Sequence, residues 1–152
     1  DFLFCVGLTE TFKELTKGYK PEKHLDLLFE SLCSSTNFKS KEIIEISQKS
    51  KEEFNEKPSK EILKILKGKS NSKLYPSRIL NLGIYILISN AKDFIGKNES
   101  EMNNIITNIF EDLNLSVNKA EKDIGIYKSS ISKMEQAKEL IKELRNQDKK
   151  KK

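Results

Sequence analysis

Thirteen uncharged residues, from Ile79 to Ala91, stand between Arg78 and Lys92 in a chain whose residues are 34% charged. This run constrains the fold more than any other segment. A membrane-crossing helix needs about 20 predominantly apolar residues, so the run is too short to span. Its apolar side chains (Ile79, Leu80, Leu82, Ile84, Tyr85, Ile86, Leu87, Ile88) point in almost every helical direction. A helix that is apolar all round belongs inside other helices. Pro76 breaks the preceding chain, Ser77 is a good N-cap, and Gly96 follows the expected end. The sequence therefore predicts a water-soluble domain wrapped around one buried helix.

The remaining segments repeat apolar residues at helical spacing, and none alternates as a strand does. A first helix is expected over Phe2–Lys17, with Cys5, Leu8, Phe12 and Leu15 inward and Gly18 at the positive-φ position after it. Pro21 is expected to open a second helix in its first turn, burying Leu25, Leu28, Phe29 and Leu32. A third should start after Ser40, bury Ile43, Ile46 and Phe54, and stop before Pro58. A fourth follows Ser59, with Ile62, Leu63 and Leu66 inward and Gly68 at its end; residues 69–73 read as loop. Beyond the central helix, Asn98 and Glu101 are spaced as a capping box. They introduce a helix with Met102, Ile105, Ile106, Ile109, Phe110 and Leu113 on one stripe.

The last helix differs in kind. Val117, Ala120, Ile124, Tyr127, Ile131 and Met134 recur at alternating spacings of three and four, an a/d seam. The seam continues less regularly through Ala137, Ile141 and Leu144. Helical from Val117 to Gln147, it would be about 46 Å long and its end would project. Gly125 inside it costs about 1 kcal/mol against alanine. The expected organisation is all-α: a helical bundle over residues 1–116, a long helix over 117–148 that packs and then protrudes, and a disordered lysine tail over 149–152.

Composition enters through charge. The formal net charge is +5, but Lys149, Lys150, Lys151 and Lys152 carry four of those charges. In the body, acids and lysines interleave, as in "SKEILKILKGK", which reads as a solvated surface rather than the basic stripe of a nucleic-acid binder. Nucleic acid is therefore not an expected partner. The tail leaves open a second reading, a module that touches anionic membrane at about 1 kcal/mol per lysine.

Chemistry is hard to find. His24 is the single histidine, so multi-histidine metal sites are excluded; on the second helix it reads as a solvent-facing residue or one capping a contact rather than as the base of a triad. There is no glycine-rich phosphate loop. Cys5 and Cys33 lack metal or redox spacing and read as reduced core residues of an intracellular protein. Tyr19, Tyr75, Tyr85 and Tyr127 lie on or beside apolar stripes. No catalytic, cofactor-binding or metal site is expected. The chain begins at Asp1 rather than Met, which points to a fragment, and "DFLFCVGL" lacks the basic start of a signal peptide.

Three stretches carry a resemblance: "VGLTETFKELTKGYKPEKHLDLLFESLC", "LYPSRILNLGIYILI" and "KAEKDIGIYKSSISKMEQAKEL". In order, across essentially the whole chain, they resemble the thylakoid formation proteins, also described as photosystem II biogenesis proteins of cyanobacteria and chloroplasts. The matching positions are Gly18, Tyr19, Pro21, Glu22, Phe29 and Cys33, then Tyr75, Ser77, Arg78 and Gly83, then Asp123, Tyr127, Ser129, Lys133 and Met134. Two features depart from the resemblance: members of the family have a further N-terminal segment, including a helix, before the point where Asp1 falls, and Gly125 stands where a helix-favouring residue is expected.

The resemblance implies an all-helical, non-enzymatic protein, peripheral to the cytoplasmic or stromal side of thylakoid membranes. It implies a role in photosystem II assembly and repair through FtsH-type proteases, with photosystem II intermediates as further partners and no cofactor. Gly18, Tyr19, Pro21, Tyr75, Arg78 and Gly83 are then structural motif residues. Tyr127, Lys133, Gln136, Lys138 and Glu139 are the candidate partner contacts. Arg78, the only arginine in the body, enters the first turn of the buried helix, where a cation is unfavourable. It is expected to clamp a carboxylate or backbone carbonyls.

Overall fold

The computed structural model describes residues 1–69 and 74–150. Among them the protein is all-helical: α1 (Phe2–Leu15), α2 (Lys23–Ser34), α3 (Ser40–Phe54), α4 (Ser59–Lys69), α5 (Arg78–Ser89), a 3-10 turn (Lys92–Phe94), α6 (Glu99–Asp112) and α7 (Val117–Lys150).

The uncharged run forms α5, and α5 is the axis of the domain. The Ser77 hydroxyl accepts the backbone N–H of Leu80 at 3.1 Å and starts the helix. Leu80, Leu82, Ile84, Leu87 and Ile88 are then all buried, against α1 on one side and α4, α6 and α7 on others.

Helix α1 crosses α5 at two glycines. A β-carbon on Gly7 would lie 2.0 Å from the Ile79 carbonyl oxygen, and one on Gly83 would lie 2.0 Å from that of Leu3. Only side-chain-free positions allow this approach. It seats Leu3 and Val6, both fully buried, at the centre of the core. Further out, Cys5, Leu8, Phe29, Cys33 and Ile43 form a second, smaller cluster joining α1, α2 and α3. Both cysteines are free and buried, and burial pushes their thiols up.

Several expectations are corrected. Helix α1 stops at Leu15, with Thr16 as its C-cap; Gly18 follows at φ +82°. Helix α2 begins at Lys23 rather than Pro21, whose carbonyl accepts the His24 N–H from outside the helix. Of its stripe only Phe29 is buried, while Leu28 and Leu32 are exposed. The reason is position: α2 lies outside α1 and α3, so a single line of side chains reaches the core. On α3, Ile46 is exposed, and Ser47 and Ser50 take the buried positions. Gly68 lies within α4, whose last helical residue is Lys69. Gly96, at φ +79°, follows the 3-10 turn rather than α5. The expected loop over residues 69–73 falls mostly on 70–73, outside the described residues.

The capping box forms at α6: Asn98 accepts from the Glu101 N–H and Glu101 accepts from the Asn98 N–H. Helix α7 runs 34 residues, about 51 Å at 1.5 Å per residue. Ala120, Asp123 and Ile124 are buried, Tyr127, Ile131 and Met134 half-buried, and every residue from Glu135 to Lys150 exposed. The disordered tail expected over 149–152 is corrected at its first half: Lys149 and Lys150 continue the helix, and Lys151 and Lys152 lie outside the described residues.

Candidate interaction surface

Four of the sequence-predicted positions, Arg78, Tyr127, Gly18 and Lys138, lie at three places where helix α7 meets the domain. The first is a polar clamp at its base. Asp123, nearly fully buried, accepts from Arg78 Nε at 3.3 Å and from Asn81 Nδ2 at 3.0 Å. Arg78 thus pairs across to α7 instead of facing its own helix dipole unpaired. Its side chain stays 61% exposed while that of Asp123 is 5% exposed. The clamp fixes the rotation of α7 against α5.

The second is a tyrosine-lined groove. The rings of Tyr85 and Tyr127 meet edge to face at 6.2 Å. They border a cavity of about 540 Å³ together with Glu10, Glu14, Lys51 and Asn90. Lys51 donates to Glu10 at 2.8 Å and Lys13 donates to the other oxygen at 3.1 Å. Burial pushes the Glu10 carboxyl up, but these two cations outweigh it and hold the group below the ordinary value. Burial, aided by Glu14, Tyr85 and Glu10, pushes the Tyr127 phenol up to about 12. The groove therefore offers hydrogen-bonding groups while its one lysine is already engaged.

The third is a cleft beneath the overhanging part of α7. The Lys138 side chain lies across Gly18: a β-carbon there would sit 3.3 Å from Lys138 Cε. The cleft holds about 410 Å³ and is lined by Gly18 and by Lys138, Ile141, Lys142, Arg145 and Lys149 among α7 residues.

The candidate partner contacts are not brought together. Tyr127 faces the tyrosine groove and Lys138 the cleft. Lys133, Gln136 and Glu139 are exposed on other sides of α7. Among the motif residues, Gly83 is buried at the helix crossing and Gly18 makes the turn beside α7. Tyr19 and Tyr75 are exposed, Tyr75 at 81%. Asn81, Glu10, Lys142 and Arg145 went unrecognised in the sequence, and Lys149 was read only as part of the tail. The cations had a signal: the a/d spacing, extended past Met134, lands on Lys138 and Arg145. Among the described residues no group of three or more His, Cys, Asp or Glu side chains is placed to hold a metal ion. No helix there is long and apolar enough to cross a membrane.

Comparison with known proteins gives concordant results. The chain matches the family described as thylakoid formation protein over residues 1–76 and 69–152. It is 77% identical over 151 residues to Protein Thf1 of Prochlorococcus marinus strain MIT 9312, spanning 99% of this chain and 75% of that relative. To Protein Thf1 of Prochlorococcus marinus subsp. pastoris it is 65% identical over 152 residues, spanning all of this chain and 75% of the relative. The solved structure of Psb29 superposes with a TM-score of 0.82 at 24% identity, over 99% of this chain and 76% of that one. At that identity the likeness speaks for the fold.

Proposed function

This chain belongs to the thylakoid formation protein family, and from that premise we propose that it is a non-catalytic accessory protein of photosystem II biogenesis and repair. In this reading it acts at the cytoplasmic face of the thylakoid as a peripheral protein. It works by docking, as an adaptor or stabiliser of FtsH-type proteases that clear damaged photosystem II subunits. Photosystem II assembly or repair intermediates are the second class of partner.

The observation that supports the docking reading is the form of α7. A clamp and a tyrosine groove hold its first half, and in its second half every residue from Glu135 to Lys150 is exposed. Apart from Lys138 beside Gly18, that half makes little use of its own domain, although helical stability in proteins comes mostly from packing. Leu140, Ile141 and Leu144 on it are each at least half exposed, which suits a helix that packs against another protein.

The test is capture. The full chain, immobilised, should retain FtsH-type proteases from detergent-solubilised cyanobacterial thylakoids. Removing the gene should lower their abundance and slow recovery from strong light. Failure to retain the proteases, together with normal recovery, would overturn the reading.

A further inference from the structure

The face that α7 turns toward the domain changes character where the domain ends. Ile124, Tyr127, Ile131 and Met134 form that face along the first half. Residues three or four positions apart share a side of a helix. The same side therefore continues from Met134 to Lys138, Lys142, Arg145 and Lys149. Up to Met134 this side is buried or half-buried. Beyond it the side is a row of four cations, and among the described residues none of the four has an ion-pair partner. They are not spread on a convex surface: all four line the cleft above Gly18, and no carboxylate lines it with them. Four like charges along one concave face repel one another. An anionic occupant removes that cost.

We infer that this cleft is the seat for an acidic, amphipathic segment of a partner protein. Its carboxylates would meet Lys138, Lys142, Arg145 and Lys149. Its apolar side chains would cover Ile141 in the cleft and Leu144 beside it, both half exposed. A planar bilayer can reach a convex basic patch but cannot enter a cleft closed on one side by the Gly18 turn. The geometry therefore favours a protein segment over a lipid surface. The inference deepens the docking reading of α7 and rests on it: it names the chemistry of the partner and the side of α7 that receives it.

The experiment uses the full chain and a synthetic amphipathic peptide of about three heptads with leucine at the seam and glutamate on the flanks. A peptide with lysine flanks is the counterpart. The acidic peptide should bind, in fluorescence anisotropy, at least tenfold more tightly than the basic one, and its binding should weaken with salt. The variant K142E/R145E, altered only at exposed positions, should keep its melting temperature and lose at least tenfold in acidic-peptide affinity.

Equal binding of both peptides, or acidic-peptide binding unchanged in K142E/R145E, overturns the inference. So does binding to phosphatidylglycerol vesicles that K142E/R145E abolishes while the acidic peptide fails to bind. Salt-sensitive dimerisation of the chain alone, lost in K142E/R145E, also overturns it by assigning the cleft to a second copy. Thylakoid capture distinguishes the two levels. If K142E/R145E still retains the proteases, the docking reading stands and the cleft assignment falls.

Discussion

Asp93 caps α4 from 34 residues away: its carboxylate accepts the backbone N–H of Ser59 at 2.7 Å and the Ser59 hydroxyl at 2.5 Å. The cap ties the start of α4 to the 3-10 turn after α5. Burial pushes the Asp93 carboxyl up, but the two Ser59 hydrogen bonds, its own backbone N–H and Lys97 together hold it below its ordinary value of 3.8. A carboxyl depressed in the folded state stabilises fully above the unfolded value. That contribution is lost as pH falls through the folded one. Asp93→Ala should cost about 1–2 kcal/mol at neutral pH. The gap to the parent chain, followed by urea unfolding, should shrink as pH drops below about 4. A gap that stays constant into acid would mean the carboxylate's charge does not matter.

Gly83 leaves no room for a side chain, because the Leu3 carbonyl occupies the space a β-carbon would need. Gly83→Ala must push α1 off α5, at a cost of about 3 kcal/mol or more. The melting temperature should fall on the order of 6–12 °C. Gly68→Ala is the control, since nothing lies within 4 Å of a β-carbon there. Equal melting temperatures for the two variants would refute the close crossing.

Arg78 and Asp123 should show coupled, not additive, effects. Arg78→Ala leaves a buried carboxylate with Asn81 as its remaining partner in the clamp, at a cost of about 1–3 kcal/mol. Adding Asp123→Asn removes the stranded charge, so the double variant should be more stable than the sum of the two single losses predicts. Strict additivity in a double-mutant cycle would show that the pair does not interact in solution.

Gly125 sits in mid-helix with nothing within 4 Å of a β-carbon. Gly125→Ala should stabilise by about 0.5–1 kcal/mol, raising the melting temperature by roughly 1–4 °C. A decrease would show that the added methyl group meets a neighbour in solution.

The two halves of α7 should separate stability from docking. Ile131→Asp puts a charge on the half-buried face and should lower the melting temperature. Leu144→Asp lies at a 53% exposed position and should change stability by no more than about 0.5 kcal/mol, yet reduce capture of thylakoid proteins. Were Leu144→Asp as destabilising as Ile131→Asp, the outer half of α7 would be packed, not free.

What the sequence reveals, and what it hides, follows from range. Local signals read correctly: the Ser77 cap, the Asn98–Glu101 box and the start of α7 all depend on residues within a turn of one another. The uncharged run identified the central helix because its composition leaves no exposed face. The Gly7–Gly83 crossing was illegible, since single glycines 76 residues apart carry no mark of their meeting. Helix α2 shows the converse: its stripe is regular, but its outer position leaves Leu28 and Leu32 uncovered. At the candidate surface, Arg78 was recognisable as a clamp. Its pairing with Asn81 and Asp123, and the cleft under α7, exist only once α7 has been laid across the domain.

The pairing of Tyr85 with Tyr127 gives this protein an optical handle of its own. The chain has four tyrosines and no tryptophan, so its near-ultraviolet signal is free of indole. A phenol held at about 12 stays un-ionised while ordinary phenols, near 10, are already charged. In a spectrophotometric titration the late-ionising phenol would report on the face of α7 that meets the domain.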